Sequence, residues 1–106
     1  MLVVSRFRVA VEDGEEFRAE LAAAHAVLAG CRGYVDGRIG RNLDDPTLWL
    51  LTTRWDNVGA YRRALSSYDV KLHAVPLLSR ALDEPSAYEL VEPGTVLNIE
   101  SARGFS

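Results

Sequence analysis

The chain has 106 residues, 48% of them hydrophobic and 25% charged, a composition typical of one ordinary globular domain. Twelve basic and fifteen acidic residues give a net charge of −3 without any Lys/Arg cluster, so nucleic acid is not an expected partner. No uncharged apolar segment is as long as a membrane span, so no membrane partner is expected, and arginines inside the apolar N-terminus argue against a signal peptide. A single cysteine, Cys31, fits a reducing cytoplasm.

The first half of the chain predicts a strand, a helix and two further strands. Residues 2–9 are rich in Val and Phe and predict the first strand. Acidic residues then precede apolar residues at helical spacing, which predicts a helix over about 15–29 that ends at glycines. Strands are predicted at 34–41 and 47–55, and the turn sequence NLDDP between them indicates a hairpin.

The second half predicts helices followed by one strand. Either residue of the Asp56–Asn57 pair can cap a helix over about 58–65, and a further helix is predicted over 68–74. A proline then fits the first turn of another helical segment, PLLSRAL, and residues 87–91 predict the last strand. The order predicts an α+β, ferredoxin-like split-βαβ fold with a four-stranded antiparallel sheet and helices on one face.

Both faces of the predicted sheet carry large apolar residues. In the third strand, Trp49 and Leu51 point to one face, and Leu48 and Leu50 point to the other. Because the helices cover only one face, a second copy of the sheet is expected on the other in a homodimer; a monomer shielded by its tail is the alternative. Charged residues expected on the same open face, pairing with carboxylates at the partner sheet or its rim, are Arg6, Arg8, Arg38 and Arg54, together with Asp36.

The predicted domain covers residues 1–91, and residues 92–106 form a C-terminal tail. Val96, Leu97 and Ile99 make this tail too apolar for a solvated linker. It is therefore expected to add an edge strand or to pack on the partner subunit.

Three segments, in this order, make the chain resemble the antibiotic biosynthesis monooxygenase (ABM) family of the dimeric α+β barrel superfamily. They are CRGYVDGRIGRNLDDP, LWLLTTRWDNVGAYRRAL and HAVPLLSRALDEPSAYEL. They resemble the family's glycine–aromatic entry to strand two, its strand-three tryptophan before an aromatic-containing helix, and its proline-containing third helix. The resemblance implies a barrel-forming homodimer with a pocket in each subunit between sheet and helices. Some relatives oxidise phenolic or quinol substrates with dioxygen and without metal or flavin, and others bind and degrade haem.

An aromatic-walled cavity is predicted on the helix side of the sheet. Tyr61, Tyr68 and His73 lie on the covering helices and are the candidate catalytic residues, with His73 as the base and a tyrosine orienting a substrate oxygen. Packing in the core is the alternative role for the aromatic residues, and an edge position on its helix is the alternative for His73. The candidate substrate-binding residues on the sheet are Ser5, Phe7, Trp49, Thr53 and Trp55.

The function that the resemblance favours is a cofactor-independent monooxygenase acting with dioxygen on a small aromatic, phenolic or quinol-like molecule. Such chemistry needs a base that forms an electron-rich phenolate and a dry cavity around that anion. The resemblance implies that no cofactor is needed, and a zinc site is not expected because Cys31 has neither a Cys partner nor a His at motif spacing. One alternative is a non-catalytic small-ligand-binding or partner protein on the same fold. The other is haem binding or degradation, because His73 lies close to the axial histidine of such relatives, although Ser5 and Ala64 do not match their other residues.

Overall fold

A computed structural model describes residues 1–97 and has one antiparallel sheet with helices on one face. The strands lie in the order β2-β3-β1-β4 and are β1 (Leu2–Arg8), β2 (Tyr34–Arg41), β3 (Leu48–Trp55) and β4 (Ala87–Tyr88). The helices are α1 (Gly14–Ala29), α2 (Val58–Ser66), α3 (Tyr68–His73) and α4 (Val75–Leu78), with a 3-10 turn at Val11–Asp13. This is the ferredoxin-like strand order, so the predicted α+β fold is confirmed.

The core lies between the sheet and the helices because the strand side chains alternate between faces. On β1 and β3, the residues facing the helices include Phe7, Trp49 and Trp55, all of which are buried. Helix α1 contributes its own buried stripe, at helical spacing, to the same core. The buried residues of that stripe are Phe17, Leu21, Ala24 and Leu28.

Local signals explain where α2 and α4 begin. The side chain of Asn57, not that of Asp56, caps α2 by accepting a hydrogen bond from the Ala60 N–H at 2.9 Å. Pro76 stands in the first turn of α4, where its missing N–H leaves no hydrogen bond unmade. Helix α4 ends at Leu78, earlier than predicted.

The last strand is shorter than the predicted 87–91. It pairs with β1 only through Leu2↔Tyr88 and Val3↔Ala87. The next residue along this antiparallel register would face Met1, which precedes the first residue of β1. β4 therefore ends at Tyr88 because β1 offers no further ladder position.

A bulge changes which face the start of β2 presents. Tyr34 lies opposite Trp55 and Asp36 lies opposite Arg54. These two partners are consecutive residues of β3, so Val35 is the extra residue on β2. Tyr34 therefore faces the helices and Asp36 faces away from them. In a regular strand, residues two apart would share a face.

Charged side chains on the open face form ion pairs within the chain. Arg54 donates two hydrogen bonds to Asp36 at 2.6 and 2.8 Å. The other two pairs are Arg6 with Glu84 and Arg8 with Asp45, whereas Arg38 donates to the Gly37 carbonyl. Three of the four arginines thus pair with carboxylates of their own subunit, and pairing with a partner sheet stays a prediction.

The described part of the tail forms a turn. The Thr95 N–H donates to the Glu92 carbonyl at 2.9 Å, and Val96 and Leu97 are exposed. Ile99 and the rest of 98–106 lie outside the described residues, so the packing of the tail stays a prediction. Within residues 1–97, none of the helices combines the length and apolarity that crossing a membrane would need.

Candidate functional site

A cavity of about 630 Å³ lies between β1, helices α2 and α4, and the segment 82–86. We call it the sheet–helix pocket. Apolar side chains form much of its wall, and polar groups come from β1 and the 82–86 segment. Its lining residues are Val4, Ser5, Arg6, Tyr61, Leu65, Val75, Leu78, Ser79, Ala81, Leu82, Asp83, Glu84 and Ser86.

Backbone and side-chain bonds hold the 82–86 segment against β1. The Leu82 N–H donates to the Arg6 carbonyl at 2.8 Å, and the Val4 N–H donates to the Ser86 carbonyl at 2.7 Å. The Arg6 guanidinium donates to both carboxylate oxygens of Glu84 at 2.7 Å. This hydrogen-bonded pairing lowers the pKa of Glu84 and raises that of Arg6. Glu84 is therefore an ionised carboxylate already engaged by Arg6, which makes it a poor general base.

Tyr61 and Ser5 bring hydroxyl groups to the pocket. Tyr61 lies on α2 with its ring packed on Trp55, the two centroids 5.5 Å apart. Burial raises the pKa of the Tyr61 phenol, so this group stays protonated at neutral pH and serves as a hydrogen-bond donor. Ser5 lies on the helix side of β1, opposite Leu51. The structure thus brings these two predicted site residues into one cavity.

The other predicted sheet residues lie behind the pocket. Phe7, Trp49, Thr53 and Trp55 all face the helices, as predicted, but they are buried in the core and do not line the sheet–helix pocket. The indole N–H of Trp55 donates to the Thr53 hydroxyl at 2.8 Å. The buried indole N–H of Trp49 finds no acceptor among the described residues.

His73 and Tyr68 lie away from the sheet–helix pocket. Tyr68 is 76% exposed. His73 is also exposed and lines a separate surface groove of about 790 Å³ beside α1, together with Cys31, Arg32 and Arg63. The three predicted catalytic residues are therefore not brought together, and only Tyr61 reaches the cavity under the sheet.

That groove does not suit haem. Its wall carries Arg32, Arg63 and Asp69 beside His73, whereas a haem site needs an extended apolar enclosure around the macrocycle. Within residues 1–97, no group of three or more His, Cys, Asp or Glu side chains is placed to hold a metal ion.

One polar pair was missed in the sequence. The His25 Nε2 atom and the Tyr34 hydroxyl are 2.6 Å apart, at the contact between α1 and β2. His25 lies four residues after Leu21 and three before Leu28, a spacing that places it beside the buried stripe of α1. That spacing was the available signal, but the inward direction of Tyr34 depends on the bulge at Val35.

Comparison with known proteins gives one family and several similar folds. The family model described as antibiotic biosynthesis monooxygenase matches residues 1–74. A variant of SnoaB, a cofactor-independent oxygenase from Streptomyces nogalater, is 26% identical, with a TM-score of 0.61 and coverage of 91% of this chain and 94% of that one.

Two further solved structures share the fold at lower identity. A Deinococcus radiodurans protein is 20% identical, with a TM-score of 0.69 and coverage of 92% of this chain and 100% of its own. Rv0793 from Mycobacterium tuberculosis is 16% identical, with a TM-score of 0.67 and coverage of 89% and 97%. Comparison with curated proteins gave no significant match.

The family model covers residues 1–74, which is more than half of the chain. The chain therefore belongs to the antibiotic biosynthesis monooxygenase family.

Proposed function

We propose that this chain is a monooxygenase that needs no cofactor and oxidises a small aromatic, phenolic or quinol-like molecule in the sheet–helix pocket. Its family membership supports monooxygenase activity, and the similarity to SnoaB supports cofactor independence. The observation that carries the proposal is the pocket itself, which combines apolar walls from Leu65, Val75 and Leu78 with the hydroxyls of Tyr61 and Ser5.

The chemistry proposed for the pocket takes all its electrons from the substrate. An ionised phenolic ring passes one electron to dioxygen, and the resulting substrate radical and superoxide combine into a peroxide at a ring carbon. Where that carbon bears a hydrogen, loss of this hydrogen with the outer oxygen as water leaves a carbonyl. One oxygen atom enters the product and the other leaves as water, so no external reductant is required.

Tyr61 and Ser5 fit the negative charge that develops on oxygen. A protonated phenol and a hydroxyl beside the reacting oxygen stabilise superoxide and peroxide anions by hydrogen bonding. The same donors hold a substrate oxygen in position. Since Glu84 is engaged by Arg6 and His73 lies in the other groove, we propose that the site favours substrates acidic enough to ionise without a dedicated base.

Oxygen consumption with a panel of hydroquinones and polyphenols in metal-free buffer tests this proposal. Tyr61→Phe is expected to lower kcat/KM by about tenfold to a hundredfold, since a hydrogen bond to a charged group contributes about 1.5–3 kcal/mol. Ser5→Ala is expected to act in the same direction. His73→Ala and Tyr68→Phe, which change residues outside the pocket, are the matched controls and should retain activity.

Two results of this assay would contradict the proposal. Loss of activity in His73→Ala with full activity in Tyr61→Phe would move the site to the groove beside α1. Binding of phenols without any oxygen consumption would favour the non-catalytic ligand-binding alternative. Haemin titration tests the haem alternative, because ligation by His73 would shift the Soret band and His73→Ala would abolish the shift.

We further propose a homodimer formed through the open sheet face. Leu2, Val4, Leu48 and Leu50 are only half-buried there, with ion pairs around them. A second sheet would cover this patch. Light scattering at micromolar concentration should give twice the 11.7 kDa chain mass, and Leu50→Glu should give the monomer mass. A monomer in the unmodified protein would refute the dimer.

We also propose a cytoplasmic location, which the single cysteine, Cys31, supports.

A further inference from the structure

A line of aromatic rings leads from the sheet–helix pocket to the contact between α1 and β2. Tyr61 lines the pocket, and its ring centroid is 5.5 Å from that of Trp55. Trp55 is in turn 5.5 Å from Tyr34, in an edge-on arrangement with an interplanar angle of 87°. The Tyr34 hydroxyl ends the line at His25 Nε2, 2.6 Å away. Each ring is therefore in near contact with the next.

The three rings differ in whether a base is hydrogen-bonded to them. Trp55 donates its indole N–H to the hydroxyl of Thr53, which is a very weak base. Tyr34 is bonded to an imidazole, which is a true base when neutral. The Tyr61 phenol has no comparable base bonded to it within residues 1–97.

Loss of an electron makes a phenol very acidic. The radical is therefore most stable on the ring whose phenol can pass its proton to a hydrogen-bonded base. We propose that Tyr61, Trp55 and Tyr34 form an electron-donor chain that carries oxidising equivalents out of the pocket, and that Tyr34 with His25 is its terminus. The proposal rests on the proposed function only for the source of the oxidant.

The step is a one-electron transfer coupled to one proton. A strongly oxidising radical stranded in the pocket, such as the alkoxyl radical left when the O–O bond of the substrate peroxide breaks homolytically, gains one electron and, with a proton from water, becomes an alcohol. Tyr61 and Trp55 relay the electron, which comes from Tyr34. The Tyr34 proton moves to His25 Nε2, leaving a neutral tyrosyl radical and an imidazolium. A soluble one-electron donor such as ascorbate then reduces the tyrosyl radical, and the proton returns.

The environment of His25 suits a proton acceptor. Burial, and secondly the charge of the nearby Arg38, lower the pKa of His25. Its imidazole is therefore neutral at neutral pH. Burial raises the pKa of Tyr34, so its phenol keeps its proton until it is oxidised. A lowered imidazole pKa weakens the base, but an oxidised phenol is acidic enough to protonate it.

A photo-oxidant fixed at the pocket tests the chain without dioxygen or substrate. Cys31→Ser removes the one native thiol, and Ser79→Cys places a new thiol on the pocket wall. A ruthenium polypyridyl label on that thiol, flashed with a soluble cobalt acceptor, supplies the one-electron oxidant. We expect the absorption and electron paramagnetic resonance signals of a neutral tyrosyl radical.

The variants assign this radical to a residue. Tyr34→Phe keeps the ring but should abolish the long-lived signal, and Trp55→Phe should reduce its yield severalfold. Tyr68→Phe is the matched control, because this exposed tyrosine lies outside the chain, and should leave the signal unchanged. A radical that persists in Tyr34→Phe, or that forms equally well in Trp55→Phe, would overturn the proposal.

The role of His25 has its own test. His25→Gln keeps a polar partner for Tyr34 but removes the base, so the radical should become short-lived or fail to form. If that variant does not fold, the solvent isotope effect on the labelled protein replaces it, since proton transfer to His25 should slow radical formation in heavy water. No isotope effect would refute the coupled proton step. Because this assay uses neither dioxygen nor substrate, its failure and that of the oxygen-consumption assay are separate results.

Discussion

Gly37 on β2 is a position where one added methyl group would meet three polar atoms at once. A Cβ atom built there would lie 2.6 Å from His25 Nε2, 2.7 Å from the Thr52 carbonyl oxygen and 2.8 Å from the Tyr34 hydroxyl. All three distances are shorter than carbon–oxygen or carbon–nitrogen contacts permit. The side chains could rotate away, but the Thr52 oxygen belongs to the backbone of the neighbouring strand β3.

The expected cost of Gly37→Ala has two parts. Overpacking that shifts the backbone costs about 1–3 kcal/mol. Separating His25 from Tyr34 removes a hydrogen bond whose net contribution is about 1 kcal/mol. The sum predicts a loss of about 2–4 kcal/mol of unfolding free energy, or a Tm lower by about 8 °C or more.

Gly30 supplies the matched control. It follows α1 with φ −82°, which any residue adopts, and its added Cβ would lie 3.6 Å from the Val27 carbonyl oxygen, an ordinary contact. Gly30→Ala is therefore expected to raise stability by up to about 1 kcal/mol, because it restricts the unfolded chain. Urea unfolding followed by tryptophan fluorescence gives both values. Equal stabilities for the two variants would show that β2 can move away from β3, and the close approach at Gly37 would then carry no energetic weight.

Three further predictions concern the cap of α2, the carboxylate of Asp45 and the groove beside α1. Asn57→Ala removes the cap of α2 and should cost about 0.5–2 kcal/mol in urea unfolding. Hydrogen bonds from Thr47 and then Arg8 lower the pKa of Asp45 from 3.8 to about 2, so its stabilisation is complete above pH 3.8 and is lost as the pH falls through 2. Asp45→Asn should flatten the acid-unfolding curve in that window, and an unchanged curve would contradict the assignment. His73→Ala should shift the Tm by no more than about 4 °C, because a change at an exposed side chain usually alters stability by less than about 0.5 kcal/mol. A larger shift would show a structural role.

The fold followed from the sequence because two periodicities were clear. Alternation along 47–55 identified a strand with two apolar faces, and the stripe from Phe17 to Leu28 identified the helix above it. The predicted and observed bounds differ mainly at α4 and β4. The end of β4 is set by where β1 begins, a pairing that local sequence does not contain.

The candidate site could be predicted from the sequence only in part, and the reason is geometric. Ser5 and Tyr61 were placed together by counting faces, which works within regular strands and helices. Counting gave His73 an inward edge position, but α3 has only six residues and ends at a break before Pro76, so the extrapolated stripe did not fix its direction. The wall at 82–86 depends on hydrogen bonds to β1 that no periodicity predicts.

The bulge at Val35 connects the fold to the chemistry proposed for it. Strict alternation would place Tyr34 on the face of Asp36, where it would meet solvent or a partner sheet. The extra residue turns Tyr34 toward the helices while Asp36 keeps its ion pair with Arg54 on the open face. One inserted residue therefore serves both layers, since it completes the aromatic line through Trp55 and preserves the charged border of the open sheet. A strand without the bulge could supply only one of these two contacts.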